Sequence, residues 1–103
     1  MYKVRTYYYT VKVKFNFNHE KNALLFEERG VSFYNAIESI SEKGILLNFD
    51  NPNMEQYPNQ KVLVVNINNY AYCVPYVIEG DTWFLKTIYP SKKFKYLIGE
   101  GNE

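Results

Sequence analysis

Cysteine and histidine are almost missing from this 103-residue chain, which contains one of each, Cys73 and His19. A single cysteine cannot form a disulfide within the chain, and Cys73 lies in an apolar, aromatic stretch where a free thiol usually behaves as a small hydrophobic group. This cysteine usage predicts a reducing, cytoplasmic setting. One histidine and one cysteine are also too few for a zinc site built from these two residue types. We therefore expect no metal ion and no cofactor.

Long apolar runs are missing as well. No run approaches the roughly 20 residues that a membrane-spanning helix needs. Lys3 and Arg5 near the start are not followed by the apolar stretch of a signal peptide, so we expect neither secretion nor a membrane partner. What the chain has instead is aromatic residues, with eleven Tyr and seven Phe in a sequence that is 47% hydrophobic. Such a chain has enough apolar material for one core, and its length predicts a single domain over residues 1–103.

Charge is distributed unevenly, although the net formal charge is only +1. Residues 1–17 and residues 82–98 each contain four basic residues and no acid. Residues 18–43 contain five glutamates against three basic residues, and residues 44–81 contain four acids against Lys61 alone. The two basic segments can form one patch for a polyanion if they meet in space. The alternative is that these lysines only decorate solvated strand faces and edges.

The first half of the chain predicts a strand followed by two helices. Residues 10–18 alternate between polar and apolar side chains, which is the pattern of a half-buried strand, and residues 1–9 form an N-terminal extension. Asn18 and Ser32 are good N-caps for helices that run to about Arg29 and Lys43, where Gly30 and Gly44 can end them. The buried side of the first helix is expected to contain Ala23, Phe26 and one of Leu24 or Leu25, and that of the second Phe33, Ala36, Ile37 and Ile40.

The second half predicts an antiparallel meander. Strands are expected over residues 45–49, 61–68, 70–79 and 82–89, with a surface loop at 50–60 and tight turns at 68–69 and 80–81. Pro75 removes a backbone donor, which predicts an edge position or a bulge. A short helix capped by Ser91 follows to about Ile98, and residues 99–103 look frayed. The order β-α-α-β-β-β-β-α indicates an α+β fold in which two helices cover one face of an antiparallel sheet.

The residues available for chemistry leave few reaction classes. We find no glycine-rich phosphate loop and no pair of carboxylates spaced for two metal ions. RNA cleavage needs neither, because the 2′-OH beside each phosphate is an internal nucleophile. Lys86 is the most informative lysine here. Strict alternation over residues 82–89 would place it on an apolar face with Phe84 and Ile88, which is costly unless it reaches the rim.

Several segments together resemble one known family. The stretch Phe15–Asn22, the helix link Glu28–Phe33 with Ala36, and the segment Lys86–Lys93 resemble BrnT-type toxins of type II toxin–antitoxin systems. The resemblance covers about residues 15–97. It implies a RelE-like fold, a ribonuclease that inhibits translation, and a tightly bound cognate antitoxin. It also implies contact with promoter DNA only indirectly, through the antitoxin.

The expected site follows from this comparison and from the charge pattern. Strand positions that are often arginine in the family are lysine or tyrosine here, and lysine cannot grip a phosphate with two parallel hydrogen bonds as arginine does. The candidate residues are Lys86, Lys92 and Lys93 for charge stabilisation, Tyr57 or His19 for proton transfer, and Lys61 and Lys95 for further RNA contacts. Two alternatives stay open: a module of the same fold that binds nucleic acid without cleaving it, and a protein-binding module that uses Trp83 and tyrosines.

Overall fold

A computed structural model of the protein describes residues 13–98. The expected N-terminal extension, the predicted start of the first strand at residue 10 and residues 99–103, which the sequence predicts to be frayed, lie outside this range. The elements are β1 (Lys14–Phe17), α1 (His19–Arg29), α2 (Phe33–Lys43), β2 (Leu47–Asp50), β3 (Lys61–Ile67), β4 (Tyr70–Glu79), β5 (Thr82–Leu85), β6 (Tyr89–Pro90) and a 3-10 helix (Lys92–Ile98). The α+β class is confirmed. None of the helices in the described range has the length and apolarity needed to cross a membrane.

Both helices begin and end where the sequence predicts. The Asn18 side chain accepts a hydrogen bond from the backbone N–H of Lys21 at 2.9 Å. Ser32 and Asn35 form a reciprocal capping box, in which each side chain accepts a hydrogen bond from the other residue's backbone N–H. Gly30 ends α1 in the left-handed conformation, at φ 73°. Local sequence therefore determines the bounds of this helix pair.

The predicted buried side of α1 is mostly wrong. Leu25 is buried, but Leu24 is 50% exposed, Phe26 is 63% exposed, and Ala23 is exposed too. In α2, by contrast, Phe33, Ala36 and Ile40 are buried as expected, with Ile37 packed against the core. Only one row of α1 side chains meets the core, so much of its apolar surface faces outward.

Polar contacts hold α1 in place. The Asn22 side-chain oxygen accepts a hydrogen bond from the backbone N–H of Phe33 at 2.7 Å. At the other end of α1, the Arg29 guanidinium donates to the backbone carbonyl of Ile88. These bonds fix α1 against α2 and against the segment that follows β5.

The strands form one sheet in the order β1-β5-β4-β3-β2, with β6 paired to β4. Strands β2 to β5 are the predicted antiparallel meander. The expectation of a wholly antiparallel sheet is wrong, because β1 lies parallel to β5, with Lys14 opposite Thr82 and Phe17 opposite Leu85. Helices α1 and α2 connect β1, at one edge of the sheet, to β2 at the other edge. The meander from β2 to β5 then returns to β1, and β5 runs in the same direction as β1.

The predicted strand over residues 82–89 is interrupted by a bulge opposite Pro75. Tyr76 pairs with Leu85 and Cys73 pairs with Tyr89, so residues 86–88 lie opposite only two residues of β4. The Lys86 backbone N–H donates to the Pro75 carbonyl at 2.8 Å. In a strand, the N–H and the C=O of one residue point to the same neighbour, so the donor that Pro75 lacks would also point at the bulge. Of the two alternatives predicted from Pro75, an edge position or a bulge, the structure has the bulge, since β4 has neighbours on both sides.

This extra residue changes which side chains face the core. Leu85 and Ile88 are both buried on the side of the sheet that α1 and α2 cover, which we call the helix side. Lys86 is exposed and lies beside Phe84, with its Nζ 5.2 Å from the centre of that ring. The expectation that Lys86 shares a face with Ile88 is therefore wrong, because strict alternation ends at the bulge.

Apolar side chains are buried on both sides of the sheet. The helix-side core is centred on Phe33, Leu63 and Tyr76. On the opposite side, Val64 and Phe94 belong to a second buried cluster, which the 3-10 helix covers. The expectation that helices cover only one face is wrong, since the C-terminal segment crosses to the other face after β6. We call this the outer side.

The outer cluster yields a stability prediction. Phe94 is only 9% exposed and its ring lies 5.6 Å from that of Phe49, whereas Tyr96, two residues later, is 71% exposed. We expect Phe94→Ala to lower the free energy of unfolding by about 3 kcal/mol, because it removes a buried aromatic ring. Tyr96→Ala is the matched control and should change it by less than about 0.5 kcal/mol. Urea unfolding followed by circular dichroism measures both, and equal effects would contradict the outer core.

Candidate nucleic-acid interface

Four lysines and several aromatic rings follow one another along the outer side of the sheet. Lys86 lies in the bulge after β5, and three further lysines lie on the exposed surface of the 3-10 helix. We call these four lysines and the three aromatic residues beside them the basic stripe. Its members are Phe84, Lys86, Tyr89, Lys92, Lys93, Lys95 and Tyr96.

The register of β4 shows that the stripe lies on one face. Cys73 pairs with Tyr89, and Val77 pairs with Phe84. Cys73 and Val77 are four residues apart on β4, so their side chains point to the same side of the sheet. Cys73 belongs to the outer cluster, which places Tyr89 and Phe84 on the outer side as well. At about 3.3 Å per residue, the two rings are separated by about 13 Å along the strand.

The lysines of the stripe have no acidic neighbours in sequence and no ion pairs within residues 13–98. Residues 82–98 contain no acid, and the ion pairs of the described range join Lys14 to Asp81 at 3.3 Å and Lys61 to Asp50 at 2.8 Å. The Lys14 hydrogen bond lowers the pKa of Asp81. No carboxylate within residues 82–98 compensates the positive charge of the stripe, and its lysines form no ion pair in the described range, which favours binding of a polyanion.

Exposed tyrosines accompany these charges. Tyr89 is 40% exposed and Tyr96 is 71% exposed. Aromatic side chains beside basic groups can stack nucleic-acid bases, each at about 1–3 kcal/mol. The arrangement can therefore contact both the phosphates and the bases of a single strand.

A buried polar contact anchors the centre of the stripe. Burial raises the pKa of the Cys73 thiol, while hydrogen bonds with Ser91 and Tyr89 and the charge of Lys93 act in the opposite direction. Burial also raises the pKa of Tyr89. Pairing of β6 with β4, together with the 3.0 Å hydrogen bond from the Ser91 backbone N–H to the Ala71 carbonyl, holds β6 and the start of the 3-10 helix against β4.

One end of the stripe opens into a cleft of about 540 Å³. The cleft lies where the parallel strands β1 and β5 end, next to the first turns of α1. Its lining combines two lysines, one carboxylate, one amide and apolar side chains. These residues are Asn18, Glu20, Lys21, Leu24, Phe84, Leu85 and Lys86. Phe84 and Lys86 belong to both the stripe and the cleft, so the two features are continuous.

The remaining candidates from the sequence lie elsewhere. Lys61 is on the helix side, in register with the buried Tyr76, and its hydrogen bond with Asp50 raises its pKa. Tyr57 lies in the loop between β2 and β3 and is 39% exposed. His19 is in the first turn of α1, with its ring 5.0 Å from that of Phe17, and it does not line the cleft. The structure thus places Lys86, Lys92, Lys93 and Lys95 on the outer side, with Lys61 on the helix side, while neither Tyr57 nor His19 lines the cleft.

Sequence reasoning did not select Glu20, Lys21 or Phe84 as site residues. Glu20 and Lys21 carry no local mark, because they meet Lys86 only through the long-range pairing of β1 with β5. Phe84 is two residues from Lys86, and its alternation with Lys86 was the available signal. Trp83, an anchor in the protein-binding alternative, is half-buried on the helix side and stacks on Tyr76 at 4.6 Å between ring centres. Trp83 therefore lies on the opposite side of the sheet from the lysines of the stripe.

Comparisons of the chain with protein-family models, curated proteins and solved structures find no significant match. Within residues 13–98, no three His, Cys, Asp or Glu side chains are grouped so that they could hold a metal ion. The features that bear on function are therefore the basic stripe, the cleft and the resemblance of the sequence segments to BrnT-type toxins.

Proposed function

We propose that this protein is the toxin of a type II toxin–antitoxin pair, which binds single-stranded RNA along the basic stripe and cleaves it without a metal ion. The observation that carries the proposal is the placement of Lys86, Lys92, Lys93 and Lys95 with exposed tyrosines on one side of the sheet. Lysine charges neutralise phosphates, and tyrosine rings stack bases without regard to their identity.

Cleavage of RNA suits this set of residues. The substrate supplies its own nucleophile, the 2′-OH, so the protein has to position the strand and stabilise negative charge that develops on the phosphate. Lysine ammonium groups supply that charge stabilisation. They act as point charges rather than as bidentate ligands, so correct positioning by the bulge and the cleft matters more than it would for arginine.

The biological setting belongs to the same proposal. The resemblance to BrnT-type toxins implies a RelE-like arrangement, inhibition of translation and a cognate antitoxin that neutralises the protein, and the cysteine usage favours a cytoplasmic location. A small adjacent gene for such an antitoxin is the expected genomic companion. Contact with promoter DNA would then occur through the antitoxin.

A second candidate function is RNA binding without cleavage. It is favoured by the positions of Tyr57 and His19, which do not join the lysines of the stripe. In this case the same surface would hold RNA, and the strand would remain intact.

The two sides of the sheet give a direct binding prediction. We expect Lys86→Ala and Lys93→Ala to weaken binding of a single-stranded RNA and to reduce the slope of log affinity against log salt by about 0.7 per lysine. Lys61→Ala is the matched control, because Lys61 lies on the helix side in an ion pair. Fluorescence anisotropy at several salt concentrations measures all three. Equal weakening by Lys61→Ala would contradict the assignment of the outer side.

The toxin proposal has a cellular test. Induced expression of the wild-type protein should arrest growth, and Lys86→Ala should abolish the arrest because it removes the charge shared by the stripe and the cleft. In vitro, the purified protein should cleave messenger RNA in the presence of EDTA. If cells grow normally and their RNA stays intact while wild-type protein accumulates, the toxin proposal fails; RNA binding without cleavage would then support the second candidate.

A further inference from the structure

The cleft at the end of the stripe contains a carboxylate beside two ammonium groups. Glu20 and Lys21 come from the first turns of α1, and Lys86 comes from the bulge after β5. All three side chains are exposed, so they can reach a ligand in the cleft. The cleft is about 540 Å³, within the range of about 300–1,000 Å³ that small-molecule sites occupy. It can therefore accommodate a nucleotide unit of an RNA strand.

We infer that this cleft is the cleavage site and that Glu20 is its general base, an inference that rests on the proposed ribonuclease function. A general base is effective in RNA cleavage when neighbouring groups stabilise the negative charge that develops on the phosphate. Glu20 is the carboxylate that lines this cavity together with Lys86. Tyr57 and His19 do not line this cavity, so Glu20 takes the proton-transfer role for which the sequence suggested them.

The apolar part of the cleft explains how a nucleotide would be oriented. Phe84 is half-buried and Leu24 is 50% exposed, so together they present an apolar wall to a base. The Lys86 Nζ lies 5.2 Å from the centre of the Phe84 ring, so its charge is beside this wall. When a base packs against this wall, its phosphate lies near Lys21 and Lys86 and its ribose lies near Glu20.

The reaction balances without any further reactant. The Glu20 carboxylate accepts the proton of the 2′-OH, and the 2′ oxygen forms a bond to the neighbouring phosphorus. The bond from phosphorus to the 5′ oxygen breaks, and that oxygen takes a proton from solvent water. The hydroxide formed in this way takes the proton from Glu20. The products are a 2′,3′-cyclic phosphate and a free 5′-OH, and Lys21 and Lys86 stabilise the charge on the phosphoryl oxygens between these steps.

The test compares glutamate variants on the same helix. Glu20→Gln removes the base and should slow single-turnover cleavage by at least about 100-fold, while the dissociation constant for RNA changes by less than about threefold. Glu20→Asp keeps a carboxylate and should recover part of the rate. Glu27→Gln, an exposed α1 position outside the cleft, is the matched control and should cleave at the wild-type rate.

The substrate and products provide a second set of controls. A strand with 2′-deoxy sugars should bind and stay intact, and mass spectrometry should find cyclic phosphate ends on cleaved RNA. Cleavage by Glu20→Gln at the wild-type rate would overturn the role of Glu20 and leave the ribonuclease proposal standing. Absence of cleavage by the wild-type protein would overturn both the role of Glu20 and the ribonuclease proposal. In that case the RNA stays intact with every variant, whereas in the first case both the wild-type protein and Glu20→Gln cleave it.

Discussion

The missing backbone donor of Pro75 is the constraint on which the arrangement of the basic stripe and the cleft depends. Pro75 lies in β4, which has neighbours on both sides, and a proline there leaves a gap in the hydrogen-bond ladder. The Lys86 N–H still donates to the Pro75 carbonyl, but Pro75 has no N–H to return that bond, and the facing segment contains an extra residue before it pairs with β4 again at Tyr89. The gap in the ladder thus coincides with the bulge.

Three consequences follow from that bulge. Ile88 turns into the helix-side core, where its carbonyl accepts the bond from Arg29 and fixes the end of α1. Lys86 remains outside, beside Phe84 and at the mouth of the cleft. The chain then pairs with β4 again at Tyr89 and continues into the 3-10 helix on the outer side. The bulge after β5 therefore fixes the relative positions of the helix-side core, the basic stripe and the cleft.

Local chemistry was enough to predict much of the fold. Asn18, Ser32 and Gly30 bound the helices through interactions within a few residues, and Pro75 marks the bulge through a property of its own backbone. Long-range pairing was not predictable in the same way. The parallel contact of β1 with β5 joins residues almost 70 positions apart, and nothing in the alternation of either strand selects its partner. The lining of the cleft is a product of that pairing, so Glu20 could not be connected with Lys86 from the sequence alone.

The central claim is that RNA lies on the outer side of the sheet and enters the cleft between α1 and β5. Titration of isotope-labelled protein with a short single-stranded RNA, followed by amide resonances in heteronuclear NMR spectra, tests it most directly. The account predicts shifts concentrated at residues 18–24 and 84–96, with little change at residues 48–61. Shifts concentrated around Lys61 and Tyr57, or no shifts at all, would contradict it.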